Sequence, residues 1–257
     1  MNDTDISAAA ALLRGSKKTV VLTGAGISAE SGIPTFRGED GLWNRFRAED
    51  LATLEAFRED AALVWGWYDW RRGLMSKVEA NPAHKVLALW ERRFPGLSIV
   101  TQNIDGLHQK AGSKSVVELH GNIWRVRCTK ERTVSANTEP HLEEIPPRCP
   151  SCGALLRPDV VWFGEPLERA VLEEAVRLSA TCEVMVVVGT SALVHPAASL
   201  PMAALERGAR LIEINPDSTP LTRLAHLSLR GKAGAVLPLV QDRLGIGPGE
   251  DGRRSRT

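Results

Sequence analysis

Short, mainly apolar runs rich in β-branched residues recur along the chain. Each run is four or five residues long and lacks the strict apolar–polar alternation of a strand with one face in water. Such runs are typical of strands that are buried on both faces of a sheet. The predicted strands cover residues 19–22, 97–101, 116–119, 184–188 and 211–214.

Helical patterns lie between these strands. Asn81-Pro82 is typical of a helix start, with a capping side chain and proline in the first turn, and predicts a helix to about Arg93. Similar patterns predict helices over 166–178 and 196–207, and a weak amphipathic stretch covers 6–13. This alternation predicts an α/β fold, a Rossmann-like parallel sheet with helices on both faces.

Two stretches interrupt the alternation. Residues 40–79 are helical in character and rich in tryptophan, and residues 122–157 contain three cysteines and no long apolar run. We expect both to form a smaller helical and zinc-ribbon-like module within one domain over 1–245. The glycine-rich, charged residues 246–257 predict a disordered tail. The Rossmann-like core would then comprise about 15–39, 80–121 and 158–245.

Composition narrows the function classes. The 257 residues are 43% hydrophobic, and 32 Lys and Arg balance 31 Asp and Glu, so no basic excess supports direct nucleic-acid binding. The most apolar segment, 184–188, is far shorter than the roughly 20 residues of a membrane span. The N-terminus, with Asp3 and Asp5, lacks a secretory pattern. Four cysteines are too few for a secreted disulfide scaffold, so we expect a cytoplasmic protein.

A glycine-rich turn follows the first predicted strand. The segment Thr23–Ala29 loosely matches the dinucleotide fingerprint, in which glycines let the backbone approach a pyrophosphate. A tight turn without a ligand would use the same residues. Gly32 and Pro34 interrupt the following helix early, so the segment Ser31–Gly41 looks like a mobile cover over a ligand and not like a crossover helix.

Longer motifs resemble those of the sirtuin family of NAD-dependent protein deacylases. The segment GAGISAESGIPTFRGEDGLW (24–43) is followed, in family order, by five shorter ones. These are TQNIDGLHQKAG (101–112), ELHG (118–121), RPDVVWFGE (157–165), GTS (189–191) and EIN (213–215). The resemblance spans about residues 19–238 and implies a Rossmann-type sheet with a smaller module.

The resemblance also implies a site that binds NAD as a consumed co-substrate. Phe36 and Arg37 would belong to a loop that orders as NAD enters, and Glu30 would lie near the adenosine. The implied cofactor-binding residues are Gly24, Ala25, Gly26, Ser28, Glu30, Phe36, Arg37, Trp43, Gln102, Asn103, Ile104, Asp105, Gly189, Thr190, Ser191, Asn215, Pro216, Asp217 and Ala233.

Three catalytic residues and a reaction follow from the same resemblance. The amide oxygen of an acylated lysine would displace nicotinamide from the ribose, His120 would take a proton from a ribose hydroxyl, and water would release lysine and acylated ADP-ribose. Imidazole suits this role because its ordinary pKa of roughly 6.5 lies near neutral pH. Asn103 and Asp105 would orient nicotinamide, and Asp105 could also cap the next helix. His195, before Pro196, is interpreted as a surface or capping residue.

Tyr68 and Arg71 are three residues apart in the helical insert and would share one face of a helix. This pair resembles bacterial class III sirtuins, which remove succinyl, malonyl or glutaryl groups. The guanidinium would bind the acyl carboxylate and the phenol would donate a hydrogen bond, and acetyl-lysine would also fit. The alternative is an amphipathic helix whose tryptophans pack inward while Arg71 and Arg72 lie in water.

The substrate is expected to bind as an extended acyl-lysine peptide that pairs with the backbone near 161–164 and Leu193, where Val161, Phe163 and Gly164 are the predicted contacts. Two other functions share the NAD site: a mono-ADP-ribosyltransferase and a non-catalytic NAD or ADP-ribose sensor. The Tyr68 and Arg71 pair favours deacylation, because a transferase has no use for a carboxylate seat.

The three clustered cysteines predict a structural zinc site. Cys149 and Cys152 have the spacing of a zinc knuckle, and Cys128 would be a third ligand. Where the family usually has a fourth cysteine, this chain has Glu131. Glu131, His141 or water could complete the tetrahedron, and the alternative is a metal-free module.

Overall fold

The computed structural model describes residues 2–36, 41–42 and 47–245, and its largest element is a six-stranded parallel sheet. The described strands are β1 (Thr19–Thr23), β2 (Leu97–Thr101), β3 (Val116–Glu118), β4 (Gly121–Cys128), β5 (Val134–Ala136), β6 (Leu156–Val160), β7 (Val184–Val188), β8 (Arg210–Asn215) and β9 (Leu227–Arg230). The strand order is β3-β2-β1-β7-β8-β9, and each neighbouring pair is parallel. The predicted sheet is confirmed.

The five predicted apolar runs all form strands of this sheet, with bounds within one residue of expectation at either end. The sixth strand, β9, was not predicted. It lies at the edge of the sheet, and of its four residues only Leu229 is fully buried. An edge strand needs less apolar sequence than a central one, and the alternating LSLR pattern is too short to stand out.

Helices cover both faces of the sheet. The described helices are α1 (Asp3–Gly15), α2 (Ala48–Leu51), α3 (Leu54–Glu59), α4 (Ala61–Met75), α5 (Pro82–Arg93), α6 (Leu107–Lys110), α7 (Arg169–Thr181), α8 (Leu200–Glu206) and α9 (Ala233–Leu244). Val21 of β1 belongs to the core beneath α1, α5 and α9, whereas Val20 and Leu22 belong to the core beneath α7 and α8. Successive strand side chains point to opposite faces, so the sheet is buried on both. Within the described residues, no helix meets the length and hydropathy that a membrane span requires.

One of the three predicted helices has the expected bounds, and the other two begin later than predicted. Helix α5 spans Pro82–Arg93 as predicted, and the Asn81 side chain accepts a hydrogen bond from Ala83 N–H. The helix predicted from residue 166 begins three residues later, because Glu168 still has non-helical backbone angles. The helix predicted from residue 196 begins with a short 3-10 turn before α8.

Both inserts form a second layer beside the sheet. Helices α2, α3 and α4 pack on an antiparallel sheet of order β5-β4-β6, which carries the cysteine-containing insert. Trp65, Trp67, Tyr68 and Trp162 are buried in the core that these elements share. The fold class, a parallel α/β sheet with a smaller helical and cysteine-containing module, is therefore confirmed.

Helix α4 is fixed to the cysteine-containing insert by polar contacts. Arg72 is fully buried and donates hydrogen bonds from Nε and Nη2 to the backbone carbonyls of Asn137 and Glu139. Asp69 accepts hydrogen bonds from His141 Nδ1 and from Leu142 N–H, at 2.8 and 2.7 Å. The alternative in which Arg71 and Arg72 lie in water is wrong, since their relative exposures are 4% and 0%.

Candidate active site

The site begins where two adjacent parallel strands send the chain to opposite faces of the sheet. After β1 the chain passes to the face covered by α5, and after β7 it passes to the face covered by α8. The two loops touch: Gly26 N–H donates to the Gly189 carbonyl at 2.8 Å, and Gly24 N–H donates to the Val188 carbonyl at 3.0 Å. Open α/β sheets bind ligands in this crevice, beyond the carboxyl ends of the strands.

Glycine is required at this contact by close approach of the two backbones. A Cβ atom on Gly189 would lie 2.4 Å from the Ile27 nitrogen, and its φ of +60° disfavours any other residue. A Cβ atom on Gly26 would lie 2.8 Å from the Gly189 Cα. The loops after β1 and β7 are therefore joined by direct backbone contact.

The chain after Gly26 forms two short 3-10 turns in place of a crossover helix, and the second ends at Gly32 with a φ of +93°. Glu30 lies in the second turn, and its carboxylate accepts a hydrogen bond from Gly234 N–H at 2.6 Å. No side chain caps α9 at its own N-cap residue, Lys232. Glu30 thus caps α9 from a distance and lies beside Ala233, the first residue of that helix.

Side-chain hydrogen bonds connect the loops after β2, β7 and β8. Gln102 Nε2 donates to Thr190 Oγ1 at 3.0 Å, and Asn215 Nδ2 donates to the Thr190 carbonyl at 2.9 Å. Asn215 Oδ1 accepts a hydrogen bond from Asp217 N–H at 3.3 Å. Ser191 and Pro216 lie within the same two loops, and the Ile104 carbonyl accepts from Ile123 N–H at the base of the cysteine module. Arg37 and Trp43 lie outside the described residues.

A second polar group centres on Ser28. Its hydroxyl donates to Asp105 Oδ2 at 2.7 Å and accepts from Asn103 Nδ2 at 3.1 Å. Asp105 Oδ1 accepts from Leu107 N–H at 2.9 Å, which confirms that it caps α6. Burial raises the pKa of Asp105, while the hydrogen bonds from Leu107 and Ser28 act in the opposite direction.

His120 is a base with a fixed tautomer. Its Nδ1 lies 2.9 Å from the Gln102 carbonyl, which can only accept, so Nδ1 carries the proton and Nε2 is the basic nitrogen. Burial lowers the pKa of His120, and the hydrogen bond to Gln102 only partly offsets this. The ring is therefore neutral near pH 7 and able to take a proton. Val161 N–H donates to the His120 carbonyl at 2.9 Å, which brings the 161–164 segment next to this base.

Two buried histidines beneath Ser28 were missed by the sequence analysis. His84 Nε2 lies 3.4 Å from Ser28 Oγ, and His108 Nε2 lies 2.9 Å from Thr23 Oγ1. Burial lowers their pKa values to about 4 and about 3, so both are neutral. Lys85 follows His84 and Gln109 follows His108, so the local sequence offers no signal that either histidine is buried. His195, in contrast, is exposed as expected.

Arg71 is a buried charge whose electrostatic partners among the described residues are Tyr68 and Asp105. Its guanidinium carbon lies 4.8 Å from the Phe36 ring centre and 4.9 Å from the Trp67 ring centre. Among the described residues, no carboxylate lies within salt-bridge distance of it. Burial lowers the pKa of Arg71, but arginine keeps its charge in proteins. A buried cation without a salt bridge is costly, and an anionic ligand would reduce that cost.

Tyr68, one turn before Arg71, is also buried. Its hydroxyl oxygen accepts a hydrogen bond from Trp162 Nε1 at 2.9 Å, and burial raises the pKa of Tyr68 to about 12. The predicted substrate contacts lie on the same segment as Trp162: Phe163 is 45% exposed, and Gly164 has a φ of +81°. Leu193 is 58% exposed. Trp162 itself was not predicted as a functional residue.

The cysteine module contains a group of four possible metal ligands, Cys128, Glu131, Cys149 and Cys152. Their ligand atoms all lie within 4.8 Å of one another, and the thiols are free. The two sulfur atoms of Cys128 and Cys152 lie 3.5 Å apart, close to the separation expected around tetrahedral zinc with Zn–S bonds of about 2.3 Å. Hydrogen bonding from the Glu131 N–H lowers the pKa of Cys128. This donor set fits zinc, and His141 lies elsewhere, bound to Asp69.

The fold and the crevice define a dinucleotide-binding type of α/β protein with an inserted metal-binding module. A model of the Sir2 family matches residues 24–196. Of the known relatives, the NAD-dependent protein deacylase of Aquifex aeolicus is 55% identical over 225 residues, which cover 88% of this chain and 94% of that protein. The chain therefore belongs to the Sir2 family, the sirtuins.

Other comparisons agree. NAD-dependent protein deacylase 1 of Caldanaerobacter subterraneus is 58% identical over 212 residues, 82% of this chain and 88% of that protein. A solved Sir2 homologue in complex with NAD has a TM-score of 0.86 at 48% identity, over 95% of this chain and 94% of that one. A Sir2 protein with a p53 peptide and NAD+ has a TM-score of 0.82 at 34% identity, over 92% and 97% of the two chains.

The glycine contact at the crevice gives a first prediction. Replacing Gly189 with alanine is expected to weaken NAD binding at least tenfold, because the added Cβ forces the loops after β1 and β7 apart. Calorimetric titration with NAD measures this. Gly208→Ala is the matched control: its φ is +85°, yet nothing lies within 4 Å of the added atom. It should cost roughly 1–2 kcal/mol of stability and leave the NAD affinity unchanged. Equal NAD affinities in the two variants would contradict the prediction.

Proposed function

We propose that this chain is a NAD-dependent protein-lysine deacylase that prefers acidic acyl groups. The observation that carries the proposal is the neutral His120. It contacts the dinucleotide crevice through Gln102, and it contacts the 161–164 segment, in which Phe163 is exposed, through Val161. A base between a cofactor site and a peptide-binding segment is the arrangement that transfer from an acylated lysine to a ribose requires. The relatives named NAD-dependent protein deacylase support this activity.

In the proposed reaction, side chains of this protein orient the cofactor and accept a proton. When bound, NAD would supply the ribose carbon that bonds to the acyl oxygen as the bond from that carbon to nicotinamide breaks. Asn103, Asp105 and Ser28, already fixed to one another, orient the nicotinamide amide. His120 Nε2 accepts the proton of a ribose hydroxyl, and its Nδ1 contact with Gln102 keeps the ring in place.

The remaining predicted residues surround the rest of the cofactor. Gly24, Ala25 and Gly26 form the pyrophosphate turn, which lies against the loop after β7. Glu30 and Ala233 meet at the N-terminus of α9, on the adenosine side. The other proposed contacts are Phe36, Arg37, Trp43, Gln102, Ile104, Gly189, Thr190, Ser191, Asn215, Pro216 and Asp217.

Acidic acyl groups are proposed because Arg71 is a buried cation that forms no salt bridge with a described carboxylate, and Tyr68 is a protonated donor one turn away. A succinyl or malonyl carboxylate would complete the charge pair, as expected for the class III subgroup. A mono-ADP-ribosyltransferase or a sensor would have no use for such a seat. Val161, Phe163 and Gly164 would bind the substrate backbone.

The free thiols fit a reducing compartment, and the cytoplasm is the proposed location.

His120 separates the three candidate functions. A deacylase should release nicotinamide only when an acyl-lysine peptide is present, with one free lysine formed for each nicotinamide, and His120→Tyr should lower kcat at least a hundredfold. Mass spectrometry of the peptide and chromatography of nicotinamide measure both products. ADP-ribose attached to a protein side chain would indicate the transferase instead, and no turnover at all would indicate the sensor.

The pH profile checks the same residue. Because the pKa of His120 is lowered and the neutral ring is the active form, log kcat/KM should be flat from neutral pH down to about 6.5 and fall only below it. An acid limb centred above that value would contradict the buried-base assignment. Exposed His195→Asn serves as the control and should leave the profile unchanged.

Arg71 tests the acyl preference. Arg71→Met replaces the arginine with an unbranched, uncharged side chain. The ratio of kcat/KM for succinyl-lysine over acetyl-lysine peptides should therefore fall about ten- to a hundredfold. Arg58→Met, at an exposed position on α3, is the control and should leave the ratio unchanged. An unchanged ratio in Arg71→Met would eliminate the acidic-acyl proposal.

Zinc is proposed as a structural ion held by Cys128, Cys149, Cys152 and Glu131, with no part in the reaction. Elemental analysis of chelator-washed protein should find a single zinc ion per chain. Glu131→Ala should weaken zinc retention and lower the thermal midpoint, whereas Glu143→Ala, an exposed acid in the same insert, should do neither. Equal zinc content in both variants would show that Glu131 is not a ligand.

A further inference from the structure

The indole of Trp162 is 2% exposed, and its Nε1–H donates to the Tyr68 hydroxyl oxygen at 2.9 Å. We infer that Trp162 is a positioning residue for acyl recognition: its N–H fixes the direction in which the Tyr68 hydroxyl points its own hydrogen. This inference rests on the proposed preference for acidic acyl groups. It assigns a role in acyl selectivity to a residue whose side chain need not touch the substrate.

The direction follows from the chemistry of the two groups. An indole nitrogen can only donate, so the phenol oxygen must be the acceptor in this hydrogen bond. The Tyr68 hydroxyl hydrogen then remains available for donation, because it has no acceptor within the described part of the chain. Burial raises the pKa of Tyr68 to about 12, so this hydrogen is present at neutral pH. Helix α4 thus offers one directed O–H donor one turn from the Arg71 cation.

Trp162 is itself held in place from three sides. The Arg157 guanidinium carbon lies 3.6 Å from the Trp162 ring centre, and Arg157 forms two hydrogen bonds to Glu165, at 2.6 and 2.7 Å. Glu165 also accepts the Trp162 backbone N–H at 2.9 Å. The Phe57 ring lies 5.3 Å away on another element. The indole donor is therefore ordered before substrate binds, which lowers the entropic cost of recognition.

The segment that carries Trp162 faces two ways. Phe163 is 45% exposed, on the side proposed to bind the substrate backbone, whereas Trp162 is buried among α3, α4 and β6. Neighbouring residues of an extended chain point in opposite directions. One short segment thus receives the peptide on its outer side and orients the acyl-binding phenol on its inner side.

Trp162→Phe tests the inference, because phenylalanine fills the ring space but cannot donate. We expect kcat/KM for a succinyl-lysine peptide to fall three- to tenfold more than kcat/KM for the acetyl-lysine peptide. This difference corresponds to the loss of about one hydrogen bond, and we expect it mainly in KM. Trp65→Phe is the matched control. Trp65 is fully buried in the same core, and its Nε1–H donates to the Leu156 carbonyl at 2.8 Å. Loss of this Trp65 hydrogen bond should leave the ratio of kcat/KM for succinyl-lysine over acetyl-lysine peptides within about twofold of wild type.

A double-mutant cycle identifies the path of the effect. In a Tyr68→Phe background, Trp162→Phe should change the ratio no further, since no phenol remains to be oriented. If the two effects add fully, or if Trp162→Phe lowers both activities equally, the inference is wrong. Should Trp162→Phe not fold, β-(3-benzothienyl)alanine at position 162 replaces the N–H with sulfur at nearly constant shape and must give the same loss of ratio.

Arg71→Met separates this inference from the function on which it rests. If Arg71→Met lowers the ratio and Trp162→Phe does not, the role of Trp162 is overturned and the acidic-acyl function stands. If Arg71→Met has no effect, the acidic-acyl function itself is overturned.

Discussion

The backbone contact between Gly26 and Gly189 is the constraint on which the site depends. It joins the loops after β1 and β7 at the point where the chain turns to opposite faces of the sheet. Gln102, Thr190 and Asn215 then extend this contact into a hydrogen-bonded rim over four strands. The functional side chains are consequently held by short bonds to a rigid sheet, which suits chemistry that demands accurate placement.

The two halves of the site use burial in opposite ways. Around His120, burial and a carbonyl partner keep the imidazole neutral, so that it can take up a proton. Around Arg71, burial surrounds a permanent charge with aromatic faces, and within the described residues Asp105 acts on this charge without forming a salt bridge. The neutral imidazole and the buried cation thus lie in environments that suit the roles proposed for them.

Local sequence patterns predicted the sheet and the family motifs well. Apolar runs fixed five strands to within a residue, because central strands have few alternatives. The edge strand β9 and the start of α7 were missed or displaced, since neither depends on a local pattern. The bond between Tyr68 and Trp162 joins residues 94 positions apart, and no spacing rule reaches that far. The same holds for His84, which is 56 positions from Ser28. Glu131 was named as one of three candidate fourth ligands because it is three residues from Cys128, and the structure places it among the cysteines.

Arg72 has a consequence for its neighbour on α4. Consecutive side chains on a helix leave the axis about 100° apart, so the bonds of Arg72 to the carbonyls of Asn137 and Glu139 define the rotational setting of the whole helix. Turning Arg71 out to bulk solvent would require the helix to roll and all of those bonds to break together. Arg71 thus stays buried because the hydrogen bonds of the neighbouring Arg72 hold the helix in place.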